Sequence, residues 1–174
     1  MKKIIIRTEL GDIFAEIYED KAPVTAGNFL RYVEDHAYDG ASTFYRVVRP
    51  DNQPDSPVKI EVIQGGLRKT DGSPAQDYGR IAHETTRETG LRHLDGTLSM
   101  ARMEPGSATS EFFICIGPQE ELDYYGRRNP DRQGFAAFGR VTEGMEIVRK
   151  IQQGEDFRQM LVEPVAILSI ELAD

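Results

Sequence analysis

At 174 residues, with 39% hydrophobic and 29% charged side chains, the chain has the make-up of a soluble globular domain able to bury its own core. A net charge of −8 and a pI near 5.0 argue against nucleic acid as a partner, and no apolar run approaches the ~18 residues that span a bilayer. The lone cysteine, Cys115, rules out an intramolecular disulfide and reads as a buried packing thiol on a strand.

Residues 2–10 and 13–19 alternate apolar and polar, with Ile4, Ile6, Ile13, Ala15 and Ile17 facing inward, and Gly11-Asp12 reads as the two-residue hairpin turn between them. Met1-Lys2-Lys3 precedes only three isoleucines before Arg7, far short of a signal-peptide core. The expected compartment is therefore the cytoplasm, or the periplasm if a leader has been removed. From Val24 to about Asp35 the pattern predicts a helix, with Thr25 as its N-cap and Phe29, Leu30 and Val33 on one face. Strands follow at about 43–49, 59–65, 96–102, 111–117 and 134–142. A second helix at about 145–152 places Met145, Val148 and Ile151/Gln152 at helical spacing, and a last alternating strand runs over about 163–172.

Eight short strands and two separated helices point to one mainly-β domain over residues 1–174. Turn chemistry between the short strands points to an antiparallel barrel or sandwich, and two well-separated helices suit plugs on the open ends of a closed barrel. Three long connections interrupt it. Residues 49–58 carry three prolines and look inserted between two paired strands, 67–95 are polar and glycine-containing, and 124–134 again look inserted; loops of this length are usually functional or mobile.

Most familiar chemistries fail on residue type. His83-Glu84-Thr85-Thr86-Arg87 has Arg where a zinc-protease helix needs its second histidine. His36, His83 and His93 have no ligand partners at zinc spacing, so no metal is expected. Gly65 to Gly72 lacks phosphate-loop spacing, and Ser99 and Ser110 lack a nucleophile-elbow context. No cofactor is implied. What stands out is an apolar sheet surface bearing one cation, Arg46, and one amide, Gln64. That suits holding a peptide and acting on its backbone, and it does not suit hydrolysis or group transfer.

Five stretches carry a family resemblance: Phe44-Tyr45-Arg46-Val47-Val48, Val62-Ile63-Gln64-Gly65-Gly66, Gly96-Thr97-Leu98-Ser99-Met100-Ala101, Phe112-Phe113-Ile114 and Phe138-Gly139-Arg140-Val141-Thr142-Glu143-Gly144-Met145. In this order they resemble the cyclophilins, the peptidyl-prolyl cis–trans isomerases, over most of residues 2–172. The resemblance implies a mainly-β, closed eight-stranded antiparallel barrel capped by the two helices, and rotation about Xaa-Pro bonds, assisting protein folding. The implied partners are proline-containing peptides and unfolded or partly folded proteins, met by a monomer. It makes Arg46 and Gln64 catalytic, with Phe113, Val62, Ala101, Leu122 and Phe135 forming the proline pocket.

Departures from the family pattern mark further substrate-contact positions. Glu61 stands where an aromatic is usual and Val62 where methionine is. Arg102 replaces an asparagine, Glu111 a glutamine, Phe135 a histidine, and Glu121 a tryptophan that helps bind cyclosporin. The added carboxylates either pair with Arg46 or select basic residues flanking the proline. Two alternatives to an active isomerase are a proline-peptide binding module with weak turnover and a scaffold that uses the inserted loops.

Overall fold

The computed structural model describes residues 1–68 and 78–173. Part of the polar 67–95 connection, including Gly72 and so the end of the glycine-containing Gly65–Gly72 stretch, lies outside them. The described strands are β1 (Lys2–Thr8), β2 (Gly11–Ile17), β3 (Ser42–Val48), β4 (Val62–Gly66), β5 (Thr97–Met100), β6 (Phe112–Cys115), β7 (Ala136–Glu143), β8 (Asp156–Phe157) and β9 (Met160–Ala173). All neighbours are antiparallel, in the order β1-β2-β7-β5-β6-β4-β3-β9, and β9 pairs back onto β1. That closure makes an eight-stranded barrel; the two-residue β8 is an arm of a hairpin on β9.

Alternation along β1 and β2 puts Ile4, Ile6, Ile13, Ala15 and Ile17 inside, each at most 2% exposed. The hairpin turn is Glu9-Leu10 rather than Gly11-Asp12, because Thr8 pairs with Gly11 and Asp12 with Arg7. The Thr8 hydroxyl closes the turn, donating to Gly11 O (2.7 Å) and accepting from Leu10 N (3.1 Å). Gly11 is instead required inside the strand: its φ is +140°, and a Cβ there would lie 2.5 Å from Ile147 Cδ1.

Helix α1 (Pro23–Glu34) buries Thr25, Ala26, Phe29, Leu30, Tyr32 and Val33. Phe29 meets Phe112 edge-on at 5.4 Å and Phe138 at 4.9 Å, so an aromatic cluster fills this part of the barrel. Thr25 is not the N-cap. Pro23 starts the helix, whose free N–H groups are capped from a distant loop: Glu84 accepts from Val24 N (3.2 Å), Thr25 N (2.7 Å) and Thr25 Oγ1 (2.6 Å). A one-turn helix, α2 (Thr86–Thr89), follows Glu84; its four residues are too few to leave an apolar period in the sequence. Helix α3 (Met145–Gln152) buries Val148, Ile151 and Gln152 against β2, β3 and β4.

Two apolar clusters result. The larger fills the barrel, and the smaller lies on its outside: Val48, Ile60, Val62, Phe113, Cys115 and Leu122, with Ala101 and Phe135 partly buried against them. β4 and β6 therefore carry apolar residues on both faces, as in a strand whose outer face is also covered. Cys115 is fully buried there, and burial pushes its thiol well above the usual range.

Candidate active site

The outer cluster is the floor of a site built by strand register. β3 pairs Arg46 with Gln64, and β4 pairs Gln64 with Phe113, so cation, amide and ring stand in one row across three strands. A β-bulge in β3 between Phe44 and Arg46 sets the row's left edge. Phe44 and Val47 both point into the core, so Tyr45 and Arg46 lie between two inward residues and face outward together.

Arg46 is held on two sides by neutral acceptors. Its Nη1 donates to Gln64 Oε1 (2.8 Å), while Nε and Nη2 both donate to Gln159 Oε1 (3.1 and 2.8 Å). Burial, then the nearby Arg128 and Arg68, lower its pKa, yet a guanidinium starting so high stays charged at any working pH. Gln64 Nε2 donates to the Tyr45 hydroxyl (2.9 Å), which donates to Glu111 Oε1 (2.9 Å). Burial and then the Glu111 charge push the Tyr45 phenol well above its ordinary value, so it serves as a neutral relay. The other Glu111 oxygen accepts from Leu67 N (3.2 Å) and the Ser110 hydroxyl, and burial raises this carboxyl above the ordinary range.

Beside Arg46 opens a cavity of about 360 Å³, lined by Arg46, Gln64, Val62, Ala101, Phe113, Leu122 and Phe135 among others. Phe135 meets Phe113 edge-on at 5.3 Å, which fixes one wall. An adjoining hollow of about 400 Å³ shares Gln64, Arg68, Ala101, Arg102 and Met103, and continues over Tyr45, Thr109 and Glu111. Arg46, Gln64, Phe113, Val62, Ala101, Leu122 and Phe135 are thus brought together, with Arg102 in the wall and Glu111 one hollow away.

Two of the sequence candidates are not brought there. The Glu61 carboxylate accepts from Gln152 Nε2 on α3 (3.2 Å), because strand alternation turns it away from Val62 and Gln64. Glu121 pairs with Arg127 (2.5 Å) and lies outside the lining. Neither these nor Glu111 bonds Arg46, whose side-chain acceptors are both glutamines. Arg102 is fully engaged, donating to both Asp131 oxygens (3.1 and 3.0 Å), Gly134 O and Met103 O, which staples the 124–134 insertion to the barrel.

Sequence reasoning missed Tyr45, Gln159, Ile60, Arg68, Arg128 and Asn129. Tyr45 stands inside the Phe44–Val48 motif, but only the bulge turns it outward. Gln159 sits at the β8–β9 turn, where Arg158 and Gln159 both hold positive φ (51° and 76°), and no local pattern announces that a glutamine there faces Arg46.

Behind Phe113, His93 Nε2 lies 2.9 Å from Ser99 Oγ and its Nδ1 lies 2.7 Å from Asp123 Oδ1. The order matches a hydrolytic triad, but Ser99 is 0% and His93 1% exposed, so no substrate carbonyl reaches the hydroxyl. The imidazole instead lies parallel to the Phe113 ring, 6.0 Å away, and backs the pocket wall. Among the described residues no group of His, Cys, Asp and Glu is placed to hold a metal, and no helix is long and apolar enough to cross a membrane.

Residues 3–172 match the family model described as cyclophilin type peptidyl-prolyl cis-trans isomerase/CLD. A peptidyl-prolyl cis-trans isomerase of Acinetobacter baylyi is 34% identical over 173 residues, covering 96% of this chain and 83% of the relative. One from Streptomyces antibioticus is 33% identical over 178 residues and covers 99% of both chains. A crystal structure of a Cryptosporidium parvum cyclophilin type isomerase superposes with a TM-score of 0.79 at 21% identity, covering 99% of this chain and 98% of the other, which shows the shared fold. With the family model spanning nearly the whole chain and the barrel it implies in place, this chain belongs to the cyclophilin-type peptidyl-prolyl cis-trans isomerases.

Proposed function

We propose that Arg46 is the catalytic cation of this isomerase and that the Phe113 cavity holds the substrate proline ring. The observation that carries the reading is the tethering of Arg46 at the edge of an apolar pocket, between Gln64 and Gln159.

Rotation about an Xaa-Pro bond is slow because it breaks amide resonance, a barrier of roughly 18–20 kcal/mol. No covalent step is needed. In the twisted state the proline nitrogen is pyramidal and regains its lone pair, whereas in both planar states that pair is delocalised. A guanidinium N–H directed at the nitrogen therefore stabilises the twisted state more than either ground state, which is the requirement for catalysis. Holding Arg46 beforehand lowers the reorganisation cost at that moment. Phe113, Val62, Leu122, Ala101 and Phe135 bury the ring, leaving the amide as the part free to turn. Gln64 orients Arg46 and, as an amide, offers a partner to the substrate backbone.

Proline-containing peptides and partly folded chains are the proposed substrates. In support, a second Cryptosporidium parvum structure of this fold was determined in the presence of the dipeptide Ala-Pro. All of the proposed site residues come from one chain, which supports a monomer, and the proposed compartment is the cytoplasm.

A protease-free isomerisation assay on short Xaa-Pro peptides tests the reading. Arg46→Ala should lower kcat/KM by about 10²–10³, as when one directed donor to a developing charge is lost. Its circular dichroism should match the parent. An Ala variant as fast as the parent overturns the assignment.

A further inference from the structure

The cavity has a charge character that the acidic chain does not suggest. Four arginines line it: Arg46, Arg68, Arg102 and Arg128. Arg102 is neutralised by Asp131, and Arg68 lies over the Tyr45 ring at 5.3 Å, near Glu111 in the next hollow. Arg46 and Arg128 differ from these two. Arg46 is bonded to two glutamines, as above. Arg128 reaches from the 124–134 insertion to the 49–58 insertion, where its Nη1 donates to Gln53 Oε1 (3.0 Å), Ser56 Oγ (2.8 Å) and Val58 O (2.6 Å). Every one of these acceptors is neutral.

One nitrogen makes all of those bonds, so among the described residues Arg128 Nε and Nη2 donate to no acceptor. The neighbouring Asn129, also lining the cavity, has its Nδ2 buried without an acceptor. This wall is short of acceptors rather than donors. Burial lowers the pKa of Arg128, with no carboxylate opposing the shift, and Arg128 in turn lowers that of Arg46. Two part-buried cations thus face one pocket, with no anion between them among the described residues, in a setting where screening is weaker than at the open surface.

We propose that the two inserted loops, joined by Arg128, make this isomerase select Xaa-Pro segments carrying a carboxylate side chain next to the proline. The inference rests on the cavity being the proline site, and it reverses the sequence expectation of a preference for basic flanks. That preference is one of two readings open for the added carboxylates, and it loses its support because Glu61 and Glu121 turn away from the cavity while Arg128 of the 124–134 loop lines it. A glutamate side chain at the cavity mouth supplies the acceptor that Arg128 lacks, and a lysine there meets two like charges. Arg128 acts as a specificity residue, with Gln53, Ser56 and Val58 fixing its position.

The test compares two peptide series, with Glu, Ala or Lys just before the proline in one and just after it in the other. Isomerisation kcat/KM and calorimetric binding are measured for each peptide. In at least one series Glu should exceed Lys by about tenfold, and the ratio should shrink as salt rises from about 0.02 to 0.5 M. Because Arg128→Gln removes the three hydrogen bonds that join the loops, Arg128→Lys is measured beside it. The Glu-over-Lys ratio should fall below about threefold in the Gln variant and persist in the Lys variant. Equal handling of Glu and Lys peptides by the parent overturns the inference, as does a ratio unchanged in Arg128→Gln or lost equally in both variants. Turnover of every peptide without preference removes only this inference. Peptides that neither bind nor turn over would remove the isomerase reading and this one with it.

Discussion

Gln159 Oε1 accepts from both Nε and Nη2 of Arg46, at 3.1 and 2.8 Å, across 113 residues of sequence. Gln159 is itself fixed: its N–H donates to Asp156 Oδ2 (2.9 Å), its Nε2 to Asn52 O (3.1 Å), and its carbonyl accepts from Val47 N (2.8 Å). The β8–β9 turn is thus the rear support of the proposed catalytic cation. Gln159→Ala should leave Arg46 tethered only by Gln64 and lower kcat/KM about three- to tenfold, mostly in kcat. The loss is smaller than for Arg46→Ala because the donor survives and only its orientation loosens. Unchanged kinetics in the protease-free assay would show that Gln64 alone positions Arg46.

Asp156 links this support to pH. Burial pushes its carboxyl pKa up, but the Gln159 N–H, Arg49 and Asn52 outweigh it and hold the value below the ordinary one. A depressed folded pKa adds stability above the unfolded value of about 3.9, and that stability disappears as pH falls through the folded value. The pair it forms with Arg49 has side chains only 15% and 9% exposed, and without it Arg49 keeps as its charged partner only Asp51, which is largely exposed. Asp156→Asn should cost on the order of 3 kcal/mol at pH 7. The gap to the parent should narrow as pH falls below the unfolded value of about 3.9 and through the lowered folded value, as the parent carboxylate protonates. Urea unfolding at pH 7 and across that acidic range reads this directly, and a constant gap would count against it.

Glu84 provides a test confined to stability. It caps α1 through three hydrogen bonds from outside the helix and lies away from the cavity lining. Glu84→Ala should destabilise by about 1–2 kcal/mol, the range for losing an N-cap that also faces the helix dipole. In a chain of this size that lowers Tm by about 2–4 °C per kcal/mol. Isomerase kcat/KM at 25 °C should stay within about twofold of the parent. A large kinetic effect would mean that α1 communicates with the pocket.

Cyclosporin should bind weakly. The resemblance places a ligand-contacting tryptophan at the position of Glu121, and here that side chain is engaged with Arg127 at 2.5 Å instead. No indole supplies apolar area or an N–H on that side of the pocket. Calorimetric titration should give an affinity at least tenfold poorer than for a cyclophilin that keeps the tryptophan, while Xaa-Pro turnover persists. Tight binding would show that the inserted loop replaces the missing surface.

The sequence alone was enough for the architecture and for bringing together the middle of the proposed site. Alternation is a local property with period two, so Ile4, Ile6, Ile13, Ala15 and Ile17 declare their inner face without any partner strand. Helical spacing marked α1 and α3 to within a residue. Arg46, Gln64 and Phe113 sit in strand motifs, and strands of fixed pleat deliver them to one row. Local reading failed where chain segments meet by packing rather than by period. It put the first turn at Gly11-Asp12, whereas the turn is Glu9-Leu10 and Gly11 makes room for Ile147. It capped α1 with Thr25, whereas the cap is a carboxylate 59 residues away. The bulge that turns Tyr45 outward, the turn that brings Gln159 to Arg46 and the clasp through Arg128 all depend on where distant loops come to rest. Those positions are set by closure of the barrel, which no window of neighbouring residues contains.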